Sequence, residues 1–494
     1  MNQETEDLLA DTQPEPVRLP DVALFVGGKR YTDGPSAGVS DPWTLKKITE
    51  ITLADASRAQ EAMRAAVEAF DKTRRAPSYV RRRVLDEITK RIAAGREDLA
   101  ALITRESGKP RTQALIEVDR AVTTFGLAAE EAVRMGGEVM PLDVGEGQAT
   151  LRGSWQRVPR GPVLAITPFN FPLNLVAHKV APALACGASV VLKPAPQTPL
   201  TSLRLAEIVR EAGAIENALQ VVPCENDVAE TLVRSDAFAV LSFTGSDKVG
   251  WHLKAIAGKK HVLLELGGNA ACIVHQDARD FGSVATKIAA SAFNYAGQVC
   301  IKTQRLYVHE AVVDTLLAEL LPRARAFVPS DPKTATCTIG SMIDRRAAER
   351  VDAWIDEAVA KGAEALLRGV RRDNRLPPAV MRIGGDGTGL KIVDEEAFGP
   401  VLTVHPYHDF SDAVRMAGAT RYGLQAGLFT DSLSRMHEAL DALEVGALVV
   451  GDVPSTRVDA MPYGGRRDSG IGREGVRFAM EEMTDRKMLV VRGA

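Results

Sequence analysis

Between Pro162 and Leu264 the chain alternates short apolar runs with helical stretches, and this alternation restricts the fold more than any other feature. The runs are Val163–Thr167, Ser189–Lys193, Leu219–Val222, Phe238–Phe243 and His261–Leu264. Helical stretches at about Leu173–Cys186, Leu200–Ala212, Asp227–Val233 and Ser246–Ile256 separate them. Strands joined through helices run parallel, and helices then cover both faces, so such strands read as continuous apolar runs rather than as polar–apolar alternation. The pattern predicts a parallel, doubly wound α/β sheet. Ligands of such sheets bind beyond the carboxyl ends of the strands. Here those ends are Thr167–Asn170, Lys193–Gln197, Thr244–Ser246 and Glu265–Gly268.

The flanking regions read more simply. A short strand and turn lie at Ala23–Gly34, followed by amphipathic helical stretches at Ala54–Thr73, Ser78–Ser107 and Gln113–Gly136. Val80, Val84, Leu85, Ile88 and Ile92 show the three- and four-residue spacing of one buried helix face. A second βα-rich stretch covers about Ala271–Val450, with a helix at Ser283–Tyr295 and a strand at Arg305–His309. Lys487–Arg492 reads as a terminal apolar strand, which must pair in cis or across a subunit contact.

With 494 residues, the chain has length for two or three domains. Its net charge of -3, with Lys and Arg dispersed, offers no basic face for nucleic acid. Arg81–Arg83 reads as a solvated helix face. Residues 1–20 are polar and acidic and read as a disordered leader, with neither the basic nor the apolar segment of a secretory signal. No apolar stretch reaches the ~18 residues of a membrane span. A cytoplasmic protein is expected.

Two segments carry the chemistry. Leu264-Glu265-Leu266-Gly267-Gly268-Asn269 offers a carboxylate, and Gly297-Gln298-Val299-Cys300 offers a thiol 35 residues later. A nucleophile and a base do acyl chemistry together if the fold brings them to one substrate carbon, and are ordinary residues otherwise. Five scattered cysteines without a C-x-x-C pair argue against a disulfide framework and a zinc site, and no metal is expected. No G-x-G-x-x-G turn follows the first strand, so a standard dinucleotide fingerprint is absent. Phe243-Thr244-Gly245-Ser246 does join a strand to a helix, where backbone N–H groups can hold an anion, although any such junction has this form. The glycines at 464–465 and 470–475 follow no expected strand.

From about Leu24 to the C-terminus, the ordered set Pro168-Phe169-Asn170-Phe171-Pro172, Lys193-Pro194, Phe243-Thr244-Gly245-Ser246, Glu265-Leu266-Gly267-Gly268, Gly297-Gln298-Val299-Cys300, Glu396-Ala397-Phe398-Gly399-Pro400 and Pro462-Tyr463-Gly464-Gly465 resembles the aldehyde dehydrogenase superfamily. The resemblance implies two doubly wound α/β domains, one Rossmann-like for the cofactor and one catalytic, with a small β oligomerisation arm. The expected boundaries are 21–140 with 159–266 for the cofactor, 267–477 for catalysis, and 141–158 with 478–494 for the arm. It implies a homodimer or homotetramer, with contacts at Gly145–Trp155 and Met488–Val491.

It further implies that Cys300 is the nucleophile, that Asn170 and the Cys300 N–H hold the oxyanion, and that Glu265 activates water to release a free acid. Acyl-CoA-forming relatives commonly lack that carboxylate; such an enzyme, or a non-catalytic protein on the same fold, is the alternative. For NAD or NADP, the matching positions are Ile166, Thr167, Pro168, Phe169, Lys193, Pro196, Phe243, Gly245, Ser246, Val249, Leu266, Gly267, Glu396 and Phe398. Lys193 would take the adenosine ribose and Glu396 the nicotinamide ribose. Pro196 stands where many NAD-preferring members have a glutamate, whereas Glu225 supplies a carboxylate in the next loop, so the two departures pull in opposite directions. The segment Gly451–Gly465 is similar to lactaldehyde dehydrogenases and to non-phosphorylating glyceraldehyde-3-phosphate dehydrogenase-like members. That points to a small, polar or hydroxylated aldehyde, with Arg457 or Lys302 as a cation for an anionic tail and a structural tie as the other role of Arg457.

Overall fold

A computed structural model describes residues 17–493. The expected leader falls outside the described residues up to position 16; Val17 and Leu19 pack against the core and Pro20 is buried.

The five expected runs form one parallel sheet. Its order is His261–Glu265, Val240–Thr244, Val163–Ile166, Val190–Lys193, Leu219–Val221. The strand order reverses between Val163–Ile166 and Val240–Thr244. Successive connections leave in opposite directions there, so a crevice opens beyond those two strand ends. Helices cover both faces, and two apolar clusters, around Leu85, Ile88 and Val163 on one side and around Leu24, Leu164 and Phe243 on the other, fill the layers.

A sixth strand was not expected. Gly470–Ile471 adds antiparallel to Leu264–Glu265. Two residues are too few to show a periodicity. A Cβ at Gly470 would strike the Leu264 carbonyl, and its φ of +146° disfavours other residues. The following helix, Val476–Glu482, packs on the helix Asn174–Cys186. Gly470–Ile471 thus extends the first sheet, and the helix after it packs in the layer that covers that sheet.

The second sheet has seven strands in the order Glu364–Arg368, Ala379–Arg382, Val401–Tyr407, Arg305–His309, Ala271–Val274, Gln425–Phe429 and Ala447–Val450. Only the first pair is antiparallel. A third sheet pairs Thr484–Arg492 with Leu151–Pro159, and that strand with Gly137–Pro141. The terminal strand thus pairs in cis. The stretch read as one helix over 78–107 is two, Ser78–Ala94 and Arg96–Ser107, parted at Gly95, which removes the side chain that would support a continuous helix.

Two buried carboxylates anchor the helices that follow the crevice. Glu117 accepts the Leu173 and Asn174 N–H groups at 2.9 and 3.2 Å. Glu106 accepts those of Leu200 and Thr201 at 2.7 and 2.9 Å. Glu117 also pairs with the buried Lys109 ammonium, which lies 3.7 Å from the Phe171 ring centroid. Glu117→Ala is expected to cost about 3–5 kcal/mol, because it leaves a buried ammonium uncompensated. A urea titration measures the loss, and a cost under about 1 kcal/mol would remove Glu117 from this role.

Candidate active site

Cys300 is delivered by the helix Phe281–Phe293 and a single 3-10 turn, Asn294–Gly297. Tyr295 and Ala296 both have φ of +52° and Gly297 +67°, so three consecutive left-handed residues turn the chain back. For the two non-glycines this costs about 1–2 kcal/mol each. Surrounding bonds hold the turn in place. The Tyr295 hydroxyl donates to the Ser107 carbonyl at 3.2 Å. The Gln298 side chain accepts the Ile343 N–H at 2.9 Å and donates to the Tyr295 carbonyl at 3.3 Å. A Cβ at Gly297 would collide with the Gly399 carbonyl, which explains the glycine.

The Cys300 side chain emerges half-buried among Val299, Ile301, Leu424, Met461 and Tyr463. Burial in this apolar wall pushes the thiol up to about 11. A hydrogen bond with the Tyr463 hydroxyl, 3.2 Å from Sγ, opposes that shift. Tyr463 itself is raised well above its ordinary value by burial, so it keeps its proton and can donate to the sulfur.

Asn170 lies just past the strand Val163–Ile166, only 3% exposed. Its Nδ2 donates to the Gln298 carbonyl at 3.0 Å, two residues before Cys300. An amide nitrogen carries two protons, so one remains for a ligand.

Glu265 ends its strand at 5% exposure, and Oε2 has no partner among the described residues. Burial, then the charge of Glu474, raise its carboxyl well above the usual glutamate range. Glu474 shows the opposite shift. Its oxygens take Lys179 Nζ at 3.1 Å and the Arg457 guanidinium at 3.1 Å, and these cations outweigh burial and keep it ionised. One glycine joins the thiol and the base spatially: Tyr463 touches Cys300, and a Cβ on the next residue, Gly464, would come 2.8 Å from Glu265 Oε1. Across the site, a Cβ on Gly268 would come 3.1 Å from the Cys300 carbonyl. The two segments 35 residues apart in sequence thus lie side by side in space.

Beside it lies the crevice of the first sheet. Ile166, Thr167, Pro168 and Phe169 leave the sheet where the strand order reverses. Lys193 ends its strand at 6% exposure, and its ammonium makes no hydrogen bond or ion pair among the described residues. Pro196 is exposed nearby. Phe243 is buried, and a Cβ on Gly245 would come 2.5 Å from its ring. Ser246 precedes the helix Asp247–Ile256 without a side-chain cap; the Lys248 N–H donates to Asp247 Oδ1 at 2.8 Å, the Asp247 and Val249 N–H groups have no partner among the described residues, and Val249 stands 45% exposed. On the opposite wall, Leu266 is buried, Gly267 packs its α-carbon on the Glu396 carboxylate, and the Gly268 N–H donates to Glu396 at 3.1 Å. Burial pushes Glu396 up to about 7. Phe398 meets Phe169 edge-on at 5.9 Å. A dinucleotide needs acceptors and donors for ribose hydroxyls and N–H groups for its pyrophosphate. The Lys193 ammonium, the Glu396 carboxylate, the two open N–H groups at the helix start and the buried hydroxyls of Thr167 and Thr244, which have no partner among the described residues, fit that need.

Two expected cations are differently engaged. Lys302 is buried and turned away, donating to the Val401 carbonyl at 2.8 Å, so it does not face a substrate. Arg457 is buried over the Tyr463 ring at 3.7 Å while holding Glu474, a tie within the wall of the site. Several contributors had no assigned role. Tyr463 and Gln298 stood inside quoted motifs, which located them without giving a function. Glu474 and Lys179 carried no local signal, because their pairing spans 295 residues.

The pattern of the aldehyde dehydrogenase family matches residues 31–489. The chain is 38% identical over 471 residues to 3-sulfolactaldehyde dehydrogenase of Priestia aryabhattai, covering 95% of this chain and 97% of that one. It is 34% identical to lactaldehyde dehydrogenase of Methanococcus maripaludis strain C7, covering 95% and 99%. Among solved structures it is similar to aldehyde dehydrogenase 21 of Physcomitrella patens in complex with the reaction product succinate, with TM-score 0.93, 38% identity and coverage of 96% and 99%. It is also similar to the glyceraldehyde-3-phosphate dehydrogenase GapN of Methanocaldococcus jannaschii complexed with NADP, with TM-score 0.88, 32% identity and coverage of 92% and 99%. The chain belongs to the aldehyde dehydrogenase family, and its reaction is the NAD(P)-dependent oxidation of an aldehyde to the carboxylic acid.

Proposed function

We propose that Cys300, Asn170 and Glu265 carry this oxidation, and that the substrate is a small aldehyde with a hydroxylated or anionic tail. The Cys300 sulfur adds to the aldehyde carbon, giving a thiohemiacetal, and its proton passes to the Glu265 carboxylate. The free amide proton of Asn170 and the Cys300 N–H hold the oxyanion. When bound in the crevice, NAD(P)+ supplies the acceptor for the hydride that leaves this carbon. The acyl group remains on sulfur as a thioester. Glu265, its proton returned to solvent, then takes one from water, whose oxygen attacks the thioester. The acid departs and the thiol is restored. Burial makes the Glu265 carboxylate a stronger base for this proton, while burial of the thiol works against its release.

The observation that carries this reading is the convergence of an unspent amide proton and a partnerless carboxylate beside one accessible thiol. Asn170→Ala is expected to lower kcat about 10²–10³-fold with the melting temperature held, the scale of one oxyanion donor. An unchanged kcat would remove Asn170 from the site.

The substrate tail follows from local charge. Lys179 and Arg457 share the single ionised Glu474 while Glu265 resists ionisation, so this wall favours an anion. A 3-sulfolactaldehyde dehydrogenase and a succinate-bound aldehyde dehydrogenase among the similar proteins support that reading. Pro196 puts no carboxylate beside Lys193, whereas Glu225 lies near enough for its charge to act on that ammonium, so use of both NAD and NADP is proposed. A panel of sulfonated, carboxylated, hydroxylated and unsubstituted aldehydes with both cofactors tests these points. Preference for the unsubstituted members would overturn the tail assignment.

The strands Gly137–Pro141 and Thr484–Arg492 expose Val139, Met140, Met488, Leu489, Val490 and Val491. We propose that this sheet, with residues 141–158, is the contact of a homodimer or homotetramer, and that residues 21–140 with 159–266 and residues 267–477 act as cofactor and catalytic domains. Among the described residues no helix is long and apolar enough to cross a membrane. A cytoplasmic location is proposed.

A further inference from the structure

The two walls of the cofactor crevice are joined at their outer rim by one side chain outside the catalytic set. Arg421 sits in the loop between the helix Phe410–Gly418 and the short strand Tyr422–Gly423. Its guanidinium reaches three carboxylates. It pairs with Asp247, the first residue of the helix Asp247–Ile256; with Glu395 at 2.6 Å, the neighbour of Glu396; and with Asp468 at 3.2 Å. The Tyr422 hydroxyl reinforces the cluster, 3.4 Å from Asp247 and 3.3 Å from Glu395. The Arg421 backbone is fixed as well, its carbonyl accepting the Asp468 N–H at 3.1 Å. Asp468 is tied to the helix in turn, its carbonyl accepting the Trp251 indole N–H at 3.3 Å.

Asp247 and Glu395 each adjoin a residue assigned to the crevice, Ser246 on one wall and Glu396 on the other. Their proximity is independently visible in the Tyr422 hydroxyl, which reaches both carboxylates. A single cation among three carboxylates makes the joint depend on that cation: without it, three like charges face one another across the rim, and like charges at this range repel. We propose that Arg421 is a positioning residue, a latch across the crevice whose opening sets the rate at which the reduced cofactor leaves. This rests on the crevice assignment made under the proposed function. The latch is partly exposed, with Arg421 at 40%, so salt screens it.

The test follows release of prebound NADH or NADPH by its own fluorescence in stopped flow, chased with excess oxidised nucleotide. Wild type, Arg421→Ala, Arg421→Lys, Asp247→Asn and Lys193→Ala are compared at low and high salt. Arg421→Ala is expected to raise the release rate about fivefold, the scale of a partly exposed ion-pair network. Arg421→Lys is expected to fall between, because a point charge replaces the fork that spans the carboxylates. High salt is expected to speed the wild type toward the alanine variant, a measurement needing no substitution. An unchanged release rate in Arg421→Ala, or a wild-type rate indifferent to salt, overturns the latch. Unaltered nucleotide affinity in Lys193→Ala overturns the crevice assignment instead, so the two failures are distinguishable.

Discussion

Cys300→Ala is expected to lower aldehyde-dependent reduction of NAD(P) by about 10⁴-fold or more, the scale on which removal of a covalent nucleophile is felt. No neighbour can take its place. Cys186, Cys224, Cys272 and Cys337 are buried, whereas Cys300 alone is half-exposed. Burial pushes Cys186 and Cys224 up to about 11, and neither has a phenol hydrogen bond like the one from Tyr463. The variant should also lose the single equivalent of iodoacetamide labelling under native conditions, since Cys300 alone is accessible. Melting should move little, since a half-buried thiol fills little of the core. Retained turnover, or continued labelling at another cysteine, would identify a different nucleophile.

Glu265→Gln is expected to separate the two halves of the reaction. The glutamine keeps shape and hydrogen-bonding capacity but cannot take a proton. If the carboxylate activates the hydrolytic water, deacylation falls about 10²–10⁴-fold, the usual range for a general base. A burst of NAD(P)H followed by slow turnover would report the accumulated thioester. Wild-type deacylation should decline as pH falls through a value well above that of an ordinary glutamate, because burial and Glu474 raise this group, and the variant should lose that limb. Stability gives an independent sign. A glutamate whose folded pKa lies above its unfolded value gives up stability as pH rises through the folded value. At pH values above its folded pKa the ionised Glu265 is therefore a burden on the fold, and there Glu265→Gln should melt higher than the wild type. A variant that turned over normally would remove Glu265 from hydrolysis, and one that melted lower would show that its burial is compensated by an unrecognised partner.

The residues differ in how visible they were in the amino-acid sequence. The first sheet was legible because each strand is buried on both faces, so its apolar runs stand out from the helices between them. Gly470–Ile471 was not, since a two-residue strand is made by its neighbour's open edge rather than by its own composition. Gly95 parting one long amphipathic stretch was likewise hidden, because the apolar spacing continues across it. At the site, Cys300, Glu265 and Asn170 stood out only as members of an ordered set of motifs. The Lys179–Glu474–Arg457 arrangement could not be anticipated, since local sequence carries no record of a pairing between residue 179 and residue 474.

The short strand Gly470–Ile471 also has a bearing on how the chain is made. A ribosome releases the five parallel strands by about residue 265, yet the segment that closes their outer edge emerges some two hundred residues later. Throughout that interval the backbone of Leu264 and Glu265 is an open edge, the kind of surface on which nascent chains pair wrongly. A truncation ending at Asp468 should therefore be poorly soluble even though it keeps every strand of both large sheets except that last pair. Supplying residues 469–493 as a separate peptide should rescue it in part, which would make this enzyme's maturation a matter of one late-arriving glycine.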